Sequence, residues 1–416
     1  MIILLIGSGA REHALAHSLA QDSAVAELHA APGNPGIGEL ATLHRVDPVN
    51  PDAVALLAAE VRADLVIVGP EAPLVAGVAD AVRAAGIPVF GPSAAAAQLE
   101  GSKAFAKEIM AAANVPTAEP VVVRAAEDIP AALDRFGAPY VVKDDGLAAG
   151  KGVVVTEDRD AAFSHATAIV EAGGVVVVEE FLDGPEISLF CISDGAHVVP
   201  LAAAQDFKRA FNNDDGPNTG GMGAYSPLTW APADLTDQVL QKVARPTIAQ
   251  MAARGTPFVG VLYCGLALTS KGLRVVEFNA RFGDPETQVV LARLKSSLAD
   301  LLLAAARGEL ADHDPLQWHD DAAVTVVIAT GGYPGQLRAP GPITGVENAN
   351  NLAGVHVLHA GTSLNAEGQL VSAGGRVLSV VGTGTTVAGA RARAYAGVNE
   401  ISLAGSHHRT DIAAQY

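Results

Sequence analysis

Cysteine is almost absent: 416 residues hold two, Cys191 and Cys264, each inside an apolar strand-like run. Such a pair excludes a disulfide framework and a cysteine-built zinc site, and reads as two buried thiols of a protein at home in a reducing cytoplasm. Positive charge is scarce as well, with 27 Lys and Arg against 45 Asp and Glu, a formal net charge of −18. So acidic a chain is neither a nucleic-acid scaffold nor a partner for anionic membrane surfaces, and anionic ligands need local clusters of cations. Long hydrophobic runs are missing too. Met1 leads into IILLI and then GSG, with no basic leader and too short an apolar run for a signal peptide or a membrane span. There is no GxSxG elbow and no Cys/His arrangement for acyl-enzyme chemistry. His13, His17, His407 and His408 fit helix faces or loops, without convincing metal spacing.

What is there is a globular chain, 50% hydrophobic and long enough for two or three domains. In the first hundred residues, short apolar runs (Ile2 to Ile6, Leu65 to Gly69, then IPVFG) alternate with helical patterns from Glu12 and near Val75 to Ala85. That alternation predicts a doubly wound parallel sheet with its ligand edge in the loops GSGARE, APGN and GPEAPL. The pattern changes near Glu100 to Ser102, giving an N-terminal α/β domain over 1–101, a central domain over 102–321 and a small α+β domain over 322–416. Ala-rich SAAAAQ reads as helix.

Five motifs carry the chemistry to be weighed. GSGARE places glycines between a strand and a helix, where backbone N–H groups meet phosphate. Glu12 replaces the third glycine of the dinucleotide fingerprint, and no acidic residue ends the second strand, so a sugar phosphate near Arg11 fits better than a nicotinamide cofactor. DGLAAGKGV, Asp145 to Val153, is one residue short of a Walker loop and has Gly152 where Ser or Thr would bind Mg²⁺. Set between YVVK and GVVV, it suggests a flap whose amides close over phosphates, with Lys103, Lys143 and Lys151 nearby. VVVVEEFLDGPEIS reads equally as an acidic hairpin or as a strand end whose backbone meets adenine while Glu186 meets a ribose. EFNARFGDPE puts Glu277 and Asn279 on one strand face, a pair of oxygen donors suited to Mg²⁺, which completes its octahedron with waters and phosphates. GPNTGGMGAYSP, Gly216 to Pro227, is either a mobile turn or a ligand-wrapping loop.

In order, GSGAREHAL, APGNPG, VGPEAPLVAGV, QLEGSKAFAK, KDDGLAAGKGV, EEFLDGPE, GPNTGGMGAYSP and EFNARFGDPETQ resemble the phosphoribosylamine–glycine ligase family, also called glycinamide ribonucleotide synthetases, from Met1 to SHHRTDI. The resemblance implies an ATP-grasp fold whose central domain carries a mobile lid, about 116–187. It implies that ATP phosphorylates glycine and that 5-phosphoribosylamine attacks the glycyl phosphate, in purine synthesis, with no nucleophilic side chain required. Its ATP site would comprise Lys103, Lys143, Gly146, Gly150, Lys151 and Gly152 at the phosphates, Glu179, Phe181 and Leu182 at adenine, and Glu186 at the ribose. Glu277 and Asn279 would hold Mg²⁺ or Mn²⁺. The substrates would meet Gly9, Arg11, Glu12, Asn34, Glu71, Asp206, Thr219 and Gly220, with Arg281 on the glycine carboxylate. Arg281, Lys143 and Asp284 are the candidate catalytic residues. A cytoplasmic monomer or weak dimer with small-molecule partners only, and no nucleic acid or membrane, is expected.

Three departures stand out: EAGG before VVVVEEFL is short for the family, Phe207 replaces a frequent histidine, and Ala280 a frequent cysteine. None removes a group the chemistry needs. The rival readings are another ATP-grasp ligase or carboxylase of purine synthesis, or a silent nucleotide-binding regulator. GPNTGGMGAYSP with GDPETQ speaks against the first, and intact Glu277, Asn279 and Arg281 against the second.

Overall fold

The computed structural model describes residues 1–146 and 152–416; Gly150 and Lys151 lie outside the described residues. The apolar runs of the first ninety residues become strands β1 (Ile2–Gly7), β2 (Glu27–Pro32), β3 (Thr42–Leu43), β4 (Leu65–Val68) and β5 (Val89–Phe90), all parallel, in the order β3-β2-β1-β4-β5. Helices cover both faces, which is why β1 and β4 are apolar throughout and not alternating. The strand order reverses between β1 and β4, so the loops after them, residues 8–9 and 69–70, open side by side into a crevice. SAAAAQ is not helical as expected: residues 94–97 form a turn, and helix begins only at Gln98–Gly101. The four alanines make a single turn capped by Ser93, whose Oγ accepts from Ala96 N (3.1 Å) and whose O accepts from Ala97 N (2.8 Å), while Asp80 Oδ2 accepts from Ala94 N (2.8 Å).

Strands β6 (Pro120–Val123), β7 (Tyr140–Asp144), β8 (Val153–Thr156) and β9 (Val176–Glu179) form an antiparallel sheet in the order β6-β9-β7-β8. Helices Ile129–Phe136 and Arg159–Glu171 pack on it around a separate small core that includes Leu133, Val142, Ala162 and Val176. The next sheet is built from β10 (Glu186–Asp194) and β11 (Val198–Pro200). After the short strands β12 (Gln205–Asp206), β13 (Arg209–Phe211), β14 (Asp215–Asn218) and β15 (Gly223–Ser226), it is completed by β16 (Val259–Thr269) and β17 (Gly272–Asn279), in the order β11-β10-β16-β17. Strands β18 (Ala322–Ala329), β19 (Ile343–Thr344), β20 (Val355–His359), β21 (Thr362–Leu364), β22 (Leu370–Ser372), β23 (Arg376–Gly384) and β24 (Ser402–Leu403) follow. The sheet β12-β15-β18-β23-β20 joins central and C-terminal strands, so the last segment is stitched into the middle of the chain by backbone hydrogen bonds. Among the described residues no helix is long and apolar enough to cross a membrane.

One irregularity sets the orientation of the site. Along β17 the residues buried first are Leu273 and Val275, but after a register shift opposite Gly265/Leu266 the buried residue is Phe278. A β-bulge inserts one residue and reverses which side chains face inward. Without it, Glu277 and Asn279 would continue the buried face of Leu273 and Val275; with it, they face the cleft.

Candidate active site

The bulge also frees the carbonyl of Val276, which accepts from Lys143 Nζ (3.2 Å) on the neighbouring sheet's β7. Glu277 thereby sits among cations. Burial pushes its carboxyl pKa up, but Lys208, Lys143, Lys103 and Arg281 outweigh burial and hold it below the usual carboxylate range. Lys103, the first residue of helix Lys103–Ala112, donates from Nζ to Gly146 O (3.0 Å) at the start of the glycine-rich loop. Asp145 anchors the same loop by accepting from Ser102 Oγ (3.1 Å) and Ala104 N (3.0 Å). Among the described residues no group of three or more His, Cys, Asp or Glu side chains could hold a metal. Glu277 and Asn279 thus offer two oxygens, and the cations around them suit a ligand that brings phosphate oxygens of its own, the usual setting of Mg²⁺.

Arg281 is tied on every nitrogen. Nη2 lies 3.0 Å from Glu100 Oε1 and 3.3 Å from Asn279 Oδ1, Nε lies 3.3 Å from Glu71 Oε2, and Nη1 donates to Phe282 O at 3.3 Å. Burial lowers its pKa, but the two carboxylates overcome this and raise it. Glu100 fixes the strand end by accepting from Ala280 N (2.8 Å), and Glu71, the first residue of the short helix Glu71–Val75 after β4, is the more exposed partner.

The turn after β1 is closed by Glu12. Its Oε2 accepts from Gly9 N (2.6 Å) and its Oε1 from Arg11 Nε (2.6 Å), while a Cβ at Gly7 would fall 2.5 Å from Glu12 Cγ. The carboxylate therefore fills the space that the third glycine of a dinucleotide turn leaves open. Arg11 reaches Phe282 O (2.9 Å) and lies 3.9 Å from Glu71, joining the first crevice to the EFNARFGDPE loop. Asn34 is consumed by structure: its amide donates to Ser8 O and His359 O, both at 2.9 Å, and accepts from Ile37 N (2.9 Å).

On the opposite wall, Lys208 pairs with Glu186, and burial followed by neighbouring Glu286 and Glu186 pushes Asp206 up to about 7 despite Lys208. Thr219 brackets Lys208 O with both N (2.7 Å) and Oγ1 (2.9 Å). The next peptide is gripped from the C-terminal segment, Gly220 N donating to Tyr333 Oη (3.0 Å) and Gly220 O accepting from Arg376 Nη1 (2.6 Å). Arg376 Nη1 also donates to Asp284 O (2.8 Å) and Nη2 pairs with Asp284 Oδ2 (3.3 Å), so one guanidinium pins two loops. Burial raises the Asp284 carboxyl, but Arg376 and Arg11 prevail and keep it below its ordinary value.

Sequence profiles of the phosphoribosylglycinamide synthetase family match nearly end to end: the N domain over residues 1–100, the ATP-grasp (A) domain over 101–287 and the C domain over 323–415. The chain belongs to this family. The phosphoribosylamine–glycine ligase of Streptomyces coelicolor is 63% identical, covering 100% of this chain and 99% of that protein. The enzyme of that name from Mycobacterium tuberculosis is 55% identical over 99% of this chain and 97% of its own length. The crystal structure of the Thermotoga maritima phosphoribosylamine–glycine ligase superposes with a TM-score of 0.87 at 30% identity, over 99% of this chain and 100% of that one. A Hydrogenobacter thermophilus biotin carboxylase domain shares the fold, with a TM-score of 0.71 at 17% identity, covering 98% and 91%.

In this ATP-grasp ligase strand β9 runs past the glycine-rich loop, Val176 pairing with Asp144 beside it and Glu179 with Val141 at the other end. Glu179 ends β9 and is buried, whereas Phe181 is exposed and Leu182 half-buried, with Glu180 between them paired to Lys271 (2.7 Å) and Arg274 (3.3 Å). Gly146 and Gly152 bound the loop, and Gly152 O accepts from Asp144 N (2.7 Å). Sequence reasoning did not single out Lys208, Tyr333 or Arg376. Lys208 stood in QDFKR, where its position beside Asp206 in a cation-poor chain was a usable signal; Arg376, after two glycines and before an apolar strand, carried no local one.

Proposed function

We propose that this ligase joins glycine to 5-phosphoribosylamine with ATP, forming glycinamide ribonucleotide, ADP and phosphate. A carboxylate oxygen of glycine attacks the γ-phosphorus and ADP leaves, giving glycyl phosphate; the amine nitrogen then attacks the acyl carbon, phosphate departs and the nitrogen loses a proton. The observation that carries the reading is the ring of Lys208, Lys143, Lys103 and Arg281 around Glu277, in a chain otherwise short of cations. In-line phosphoryl transfer needs this kind of positioned charge more than a nucleophile. Lys103 and Lys143 meet ATP phosphates, with Gly146, Gly150, Lys151 and Gly152 closing over them. The main chain of Glu179, with Phe181 and Leu182, borders adenine, and Glu186 takes the ribose. Glu277 and Asn279 hold Mg²⁺ or Mn²⁺, which when bound neutralises charge on the transferring phosphoryl group.

Arg281 receives the glycine carboxylate by exchanging Glu71, the more exposed of its two acidic partners; its fork matches two carboxylate oxygens. The phosphoribosylamine side comprises Gly9, Arg11 and Glu12 with Glu71, and, across the cleft, Asp206, Thr219 and Gly220. Asn34 supports that turn from behind, and Asp284 aligns the loop beyond Arg281. The functional division we assign is 1–101 for the aminosugar side, 102–321 for nucleotide and chemistry with a lid at about 116–187, and 322–416 to complete the site. The test is phosphate release from ATP with glycine and freshly made phosphoribosylamine. Full release only with both present supports the reading, and release indifferent to either refutes it.

A further inference from the structure

Lys107 lies one helical turn beyond Lys103 and is only 5% exposed. Its Nζ donates to Thr117 Oγ1 (2.8 Å) and Ala118 O (2.9 Å) and lies 3.2 Å from Glu179 Oε1. The other oxygen of Glu179, Oε2, lies 2.8 Å from Lys143 Nζ. Glu179 is 2% exposed; two of the three Lys107 ammonium protons go to Thr117 and Ala118, and among the described residues its Oε1 meets that ammonium as an ion pair without an aligned hydrogen bond. One buried carboxylate is thus shared between two ammonium groups, one aimed elsewhere and one lodged beside the Glu277 strand.

A buried carboxylate with a single partner holds that partner tightly, since separating them strands a charge in a poorly solvated place. A second cation relaxes this constraint. We propose that Lys107 is a positioning residue for ATP: by sharing Glu179 it leaves Lys143 free to pass from that carboxylate to a nucleotide phosphate. Thr117 Oγ1 donates onward to Val275 O (2.7 Å), which ties Lys107 to the strand bearing the bulge and keeps it in place when Lys143 moves. The proposal rests on the reading that Lys143 meets ATP phosphates.

Steady-state kinetics on the full chain test it. Lys107→Met should raise the ATP KM about tenfold while the glycine and phosphoribosylamine KM stay within about twofold. Lys107→Met/Glu179→Gln should recover most of the lost ATP affinity, because the carboxylate that detains Lys143 is gone. A double variant as poor as Lys107→Met, or poorer, overturns the proposal, since a merely structural lysine would not be rescued by a second lesion beside it. Should Lys107→Met fail to fold, Lys107→Arg decides: because it keeps the second positive charge on Glu179, an ATP KM within about threefold of wild type supports the proposal, and a larger rise overturns it. Lys143→Met separates the underlying reading: an unchanged ATP KM there removes Lys143 from the phosphates and takes both ideas down, whereas a failed double-variant rescue removes only the role of Lys107.

Discussion

Two substitutions separate the jobs of neighbouring residues. Glu277→Gln keeps the shape of a side chain held ionised by four cations but removes its charge. Turnover should fall by about two orders of magnitude while the ATP KM moves less than about threefold, as for a group needed more in the transition state than in binding. Arg281→Lys keeps charge and loses the planar fork, so the glycine KM should rise about tenfold and that of phosphoribosylamine little. Initial rates at varied ATP, glycine and amine resolve both, and an Arg281→Lys defect confined to phosphoribosylamine would reassign that residue to the sugar. The position of Glu277 and Asn279 on one strand face was legible because alternation is local. What surrounds Arg281 was not: Glu71 lies 210 residues away, and no pattern within EFNARFGDPE signals that its guanidinium is already occupied.

At the level of elements, the parallel sheet and its crevice could be read because strands buried on both faces are apolar throughout and glycines mark their ends. The bulge in β17 could not, since one inserted residue leaves no trace in composition, yet it decides which face becomes the cleft. SAAAAQ misled for the opposite reason: propensity pointed to a helix, and the four alanines make one turn held by Ser93 and Asp80. The four-stranded sheet with its own small core is the element expected to respond to nucleotide. Amide exchange in Tyr140–Asp144 and Val153–Thr156 should slow on adding ATP, because a flap that shields an acyl phosphate must lose solvent exposure on closing. Equal exchange with and without ATP would count against closure of that sheet.

Across the whole molecule, helix Ala10–Ala20 meets β20 through four histidines. His17 stacks on His356 with ring centres 4.7 Å apart, and His13 meets His359 edge-on at 5.5 Å. His359 N donates to His13 Nδ1 (2.7 Å), so that nitrogen must be unprotonated. Burial lowers all four, His356 to about 3 and His359 to about 4, and neighbouring imidazoles add to it for His13 and His356. Folded values below the unfolded one, about 6.5, mean that the stability they contribute is complete above that pH and is lost as pH falls toward 4. Thermal unfolding should therefore move to lower temperature between pH 7 and 5, and a His17→Gln/His356→Gln variant should show a shallower slope. Equal slopes would discharge these rings from the acid response.

The clamp of Tyr333 and Arg376 on Gly220 and Asp284 has a consequence for how the protein comes into being. A ribosome that has passed residue 321 has already delivered every side chain we assign to nucleotide and both substrates, yet the two loops that frame them are still waiting for their pin. Activity is thus scheduled late in chain order. A nascent chain, or one cut short by a premature stop between residues 322 and 376, carries the complete set of reactive groups without the arrangement that would let them act.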